Sequence, residues 1–166
     1  MTARKFRAPS RLSQMIGKSG GKRARDAIRD SDAALAELRE PCLSAIDVLL
    51  TELSTRFGPA SARNLDDVER LFVIATQLID AAAVVRDLHI DAAAHSLCRL
   101  LDVFLEAGQA DWPVLDVHVE ALRFLRASGP ATPDGERETM VRGLGRAVDR
   151  VSVALGVPLE PVAAAS

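Results

Sequence analysis

The chain has 166 residues, 23 acidic and 21 basic side chains and a formal net charge of −2, a length that suits one domain with an ordinary core and no need of disulfides. Aromatic residues make up only 4% and Tyr is missing, so the core must come from Leu, Val, Ile and Ala, which favours closely packed helices. No run approaches the roughly 20 apolar residues of a membrane span, and the start lacks the apolar stretch of a secretory signal. A cytoplasmic location is therefore expected, with an organelle transit peptide as the alternative.

Charge divides the chain at one point. Residues 1–25 carry Arg4, Lys5, Arg7, Arg11, Lys18, Lys22, Arg23 and Arg25 and no acid, so +8 precedes a 141-residue body of −10. Pro9, Gly17, Gly20 and Gly21 lie among these charges, a composition that does not offset the entropy of ordering. A disordered basic arm is expected over 1–25. Only Leu12, Met15 and Ile16 give it an apolar stripe, enough for one helical turn against a partner.

The first helix is expected from about Asp26 or Asp32 to Phe57. Leu35, Leu38, Cys42, Ile46, Leu49, Leu53 and Phe57 recur every three or four residues, and Gly58-Pro59 ends the pattern. Pro41 lacks the N–H its turn requires, which predicts a kink or a restart there. Asn64 suits an N-cap for the second helix, with Asp66 and Asp67 complementing the dipole. Its buried stripe is read as Leu65, Val68, Phe72, Ala75, Ile79 and Ala82. Asp91 caps a third helix running to Glu106 and stopping at Gly108. A fourth follows Asp111, with Pro113 in its first turn, and turns Leu115, Val119, Leu122 and Leu125 inward until Ser128-Gly129-Pro130. Met140, Leu144, Val148, Val151 and Leu155 mark a fifth, closed by Gly156 and Pro158; Gly143 and Gly145 weaken it by about 1 kcal/mol each relative to Ala. No segment alternates with period two. The expected fold is an all-α antiparallel bundle of four to five helices over 26–156, with a frayed tail at 157–166.

The third helix holds the strongest chemical candidate. Stepping about 100° per residue gathers Leu97, Leu100, Leu101 and Phe104 in one arc, and places His95 on the opposite side with Asp91, Arg99 and Asp102 around it. An exposed imidazole on a rigid helix is what a phosphoacceptor needs. The carboxylates could orient the ring and Arg99 could offset phosphoryl charge. The ordinary alternative is a solvated histidine in a surface charge patch.

Ala94-His95-Ser96-Leu97 resembles the start of the histidine phosphotransfer motif, in which Ala-His-Ser/Thr-Leu is followed by Lys-Gly on a four-helix bundle. That resemblance implies a phosphoryl group carried on His95. Cys98 and Arg99 stand where that family has a supporting lysine and a glycine that leaves room for the receiver domain. A second resemblance is carried by Lys5-Phe6-Arg7 with Leu12, by Gly20-Gly21, by Leu38–Asp47 with Cys42-Leu43, and by Ala94–Cys98. Together these stretches are similar to the small chemotaxis accessory proteins of the CheE type, over most of residues 1–107. The resemblance implies a cytoplasmic signalling component that binds other chemotaxis or two-component proteins, with no established active site to carry over; a non-enzymatic interaction role without a cofactor is the expectation.

Other constellations point less far. His89, His95 and His118 are not paired at helical spacing, and His95 with Cys98 supplies only two ligands, so no metal site is expected. His118 is read as a boundary residue bonded to a neighbour. Cys42 and Cys98 lack a CxxC spacing and read as reduced core or boundary residues. Gly17-Lys-Ser-Gly20 lacks the spacing and the strand of a phosphate loop, and no GxSxG is present. The arm suits either a solvated tail or docking on an acidic protein partner, including the body of a homodimer mate. Nucleic acid is a further alternative, opposed by the acidic body and by Phe6 as the arm's one aromatic. The arm's small apolar area speaks against a membrane surface.

Overall fold

The computed structural model describes residues 24–59, 61–85 and 88–159. These residues form five α-helices and no strand: α1 Ala24–Phe57, α2 Asp67–Ala82, α3 Ile90–Ala107, α4 Trp112–Ser128 and α5 Asp134–Leu155, with a 3-10 turn at Gly129–Ala131. The all-α class is thus as the periodicity predicts. Of the basic arm, Arg4 through Arg23 lie outside the described residues, and Arg25 is exposed in the first turn of α1.

Residues 1–36 and 37–166 are two compact units. In the first, the described stretch of α1 keeps Ile28 and Leu35 at 62% and 47% exposure, and Arg29 pairs locally with Asp26 and Asp30. The second unit contains the core.

Several details of the sequence reading change. The helix does not restart at Pro41, which lies inside α1; the ring is exposed, so water can serve the carbonyl that loses its N–H. Among the described side chains of α1, Ile46, Leu50, Leu53 and Phe57 are the buried apolar ones, while Leu35 and Leu38 are exposed and Cys42 and Leu49 half-buried. The helix carries two apolar stripes roughly 80° apart, and a single 3–4 pattern merges them. On α2 the buried set is Val68, Leu71, Ile74, Ala75, Leu78 and Ala82, rotated by roughly 60° from the expected stripe. Leu65 is exposed, and Phe72 and Ile79 are half-buried. Apolar residues cover more than half of α2, so two stripes fit its periodicity equally well.

Caps explain where the helices begin. Asn64 and Asp67 form a reciprocal box, the Asp67 N–H donating to Asn64 Oδ1 (3.2 Å) and the Asn64 N–H to Asp67 Oδ2 (2.9 Å). Asp111 Oδ1 accepts the Val114 N–H, with Pro113 in the first turn of α4. Asp91 is not the cap of α3, which starts at Ile90 after His89 in a left-handed conformation (φ 57°). His89 Nε2 meets Asp134 Oδ1 at 2.7 Å and so ties the start of α3 to the start of α5.

α3 is the central element, in contact with α2, α4 and α5. Ala93, Ala94 and Ser96 let neighbours come close, and Leu97, Leu100, Leu101 and Phe104 fill the space between them with no exposed surface on the four large side chains. From α4 come Leu115, Val119, Leu122 and Leu125, and from α5 Leu144, Val148 and Val151. Packing continues past α5, because Val157 is buried and its carbonyl accepts the Ser152 hydroxyl.

A polar knot joins the end of α1 to α4. Arg63 donates to both carboxylate oxygens of Asp116 (2.6 and 3.3 Å) and to the Phe57 carbonyl (3.3 Å). Its guanidinium lies 5.3 Å from the centre of the Trp112 ring, which packs edge-on against Phe104. The Arg63 side chain is only 10% exposed. A bidentate pair so shielded is costly to break from one side. Arg63→Ala is expected to lower the unfolding free energy by about 2–3 kcal/mol, read as a lower midpoint in urea; a change under about 0.5 kcal/mol would make the knot a surface pair.

Candidate functional site

Because α2, α4 and α5 cover α3, little of that helix reaches solvent. The exposed strip is His95, Asp102, Leu105 and Glu106, with Asp91 and Arg99 half-buried beside it. His95 is thus reachable from outside on a rigid helix. Its surroundings are acidic. Arg99, the cation nearest in sequence, donates to Asp149 of α5 at 3.3 Å. A phosphoryl group on His95 would share its ridge with Asp91 and Asp102, and Arg99 would have to leave Asp149 to reach it.

Cys98 and Asp102 form the other edge of this ridge. Burial pushes the Cys98 thiol up, the Asp102 charge adds to that, and a hydrogen bond with Thr76 of α2 acts the other way. Burial also raises the Asp102 carboxyl. The thiol is therefore protonated at neutral pH and is no activated nucleophile. Cys42 is likewise free and half-buried.

His118 is fully buried, rather than at a boundary. Its Nδ1 donates to the Val114 carbonyl (2.9 Å), which leaves Nε2 to accept the Ser96 hydroxyl at 3.1 Å. The pair resembles a Ser–His arrangement in spacing only, because Ser96 is 6% exposed and no substrate can reach it. It satisfies two buried polar groups across the α3–α4 contact.

Two surface features lie outside the ridge. A groove of about 620 Å³ runs between α1 and α2, lined by Pro41, Cys42, Ala45, Val48, Leu49, Gln77, Asp80 and Ala81. Among the described residues Asp80 is its one charged lining residue, and Val48 is 67% exposed. On the opposite side of α1, a cleft of about 520 Å³ faces α4, where Arg126 donates to Asp47 (2.8 Å) beside Thr51, Thr55 and Arg123. The hydroxyls of Thr51, Ser54 and Thr55 in that cleft donate back into their own helix. Among the described residues no group of three or more His, Cys, Asp or Glu is arranged to hold a metal ion.

The sequence places His95 and its charged neighbours on one ridge, but it does not reveal the groove. Its signal is the second stripe of α1, Leu38, Cys42, Ala45 and Leu49, hidden in the overlap with the buried one. Comparison with protein families, curated proteins and solved structures finds no match to any of them.

Burial lowers the affinity of His118 for a proton. The unfolded chain therefore binds that proton more readily, and stability falls as pH drops below the ordinary histidine value near 6.5. Denaturant midpoints measured between pH 7.5 and 5 are expected to decline in the wild type and to decline less in His118→Gln. Equal slopes would show that His118 is not the group responsible.

Proposed function

We propose that this chain is a non-enzymatic protein-interaction component of bacterial chemotaxis or two-component signalling. The observation that carries the reading is the α1–α2 groove, an apolar depression whose lining includes Val48 at 67% exposure. An exposed apolar depression of this kind supports a protein-binding reading. The pathway comes from the CheE-type and phosphotransfer resemblances, and it makes a receiver domain or a kinase the partner class.

Phosphotransfer through His95 is the second reading, and the exposure of His95 on α3 favours it. Against it stand the carboxylates of the ridge and the Arg99–Asp149 pair. The nucleic-acid reading depends on the arm, whose charges up to Arg23 lie outside the described residues.

Receiver and kinase domains from the same organism's signalling set provide the test. Calorimetric titration is expected to find one that binds with micromolar affinity, and Val48→Glu is expected to weaken it about tenfold, or about 1.4 kcal/mol. Binding by none of them, or binding that Val48→Glu leaves untouched, overturns the proposal. Incubation with the phosphorylated partner decides the second reading: an acid-labile adduct lost in His95→Ala would replace the first.

A further inference from the structure

The groove between α1 and α2 has a size and a charge that suit one kind of occupant. From Cys42 to Leu49 its floor on α1 extends about 10 Å, the rise of two helical turns. Small side chains, Cys42, Ala45 and Ala81, form much of the floor, so another helix can approach closely. Beyond Leu49, α1 and α2 are bridged by Arg70 donating to Glu52 at 2.8 Å, which closes that end with a neutralised pair. At the other end Asp80 lines the groove and Glu37 lies one turn before Pro41 on α1, and both are exposed. The groove is apolar along its floor and acidic at its open end.

The chain contains one segment with the matching pattern. Arg11-Leu12-Ser13-Gln14-Met15-Ile16-Gly17-Lys18 sets Leu12, Met15 and Ile16 at i, i+3 and i+4 between two cations. As a helix its eight residues extend about 12 Å, close to the length of the groove floor. The stripe is the only one in an arm of eight positive charges without an acid, and the helices that wall the groove hold acids in excess.

We infer that the α1–α2 groove is the docking site for residues Arg11–Lys18 of a second copy of this chain. Leu12, Met15 and Ile16 of the second copy fill the floor, and one of the two flanking cations, Arg11 or Lys18, meets the acidic end while the other stays in solvent. Reciprocal exchange of the two arms fills both grooves about a two-fold axis, so association stops at the dimer. The inference rests on reading the groove as a protein-docking surface, and it adds that a signalling partner must displace the arm.

Sedimentation and light scattering of the full chain test it, with Val48→Glu in the groove and Met15→Glu in the arm as variants. Val48 is 67% exposed, and circular dichroism and the urea midpoint verify that both variants keep the wild-type fold. The wild type is expected to be a dimer that dissociates as salt rises, since screening weakens the arm's contacts. Each variant alone is expected to dimerise at least tenfold more weakly. An equimolar mixture of the two is expected to recover dimers, because the intact arm of Val48→Glu finds the intact groove of Met15→Glu. A wild type with the mass of one chain at every concentration overturns this occupant, even where a receiver domain still binds the groove. So does a mixture that stays monomeric while the wild type dimerises, which would place the dimer contact elsewhere.

Discussion

The encirclement of α3 is the constraint on which the other features depend. A helix in contact with three others must present small residues where backbones come close and large ones where gaps remain. α3 does both, with Ala93, Ala94 and Ser96 beside Leu97, Leu100, Leu101 and Phe104. Nine of its 18 residues are buried, so only a narrow ridge is free to meet solvent. The position of His95 follows from that packing: it is exposed because every other direction round the helix is taken.

Polar groups reinforce the same arrangement. Ser96 and His118 satisfy one another inside the α3–α4 contact, and leaving either unpaired would cost the desolvation of the other. Arg63 holds the end of α1 against α4 through Asp116 and stacks on Trp112, whose ring reaches Phe104 at the far end of α3. His89 with Asp134 sets α5 against the beginning of α3. Asp134 is held below the usual carboxylate range by that histidine, so the contact favours folding at neutral pH and weakens as acid protonates the carboxylate. The Arg63 and His89 ties sit at the edges of the apolar core, and the Ser96–His118 pair lies within it.

Much of this was legible in the residues. The α3 and α4 stripes have one strong apolar face each, so periodicity identifies Leu97, Leu100, Leu115 and Leu122 without ambiguity. Asp111, Gly108 and Gly156 mark helix ends by chemistry that needs no tertiary context. What was hidden has a common cause. α1 and α2 carry more apolar residues than one neighbour can cover, and choosing among their stripes requires knowing what packs where. Part of the surplus, Cys42, Ala45 and Leu49 on α1, becomes the wall of the groove. His118 was hidden too, since the facing Ser96, 22 positions away, is needed beside the Val114 carbonyl to satisfy both nitrogens of a buried imidazole.

Native-state hydrogen exchange, resolved by residue, measures this distribution of packing directly. The amides of Leu97–Phe104 in α3 should exchange only through global unfolding, while those of residues 25–36, which have no buried side chain, should exchange through local opening at far lower free energy. Protection in residues 25–36 that equals or exceeds that in α3 would contradict a fold organised around α3.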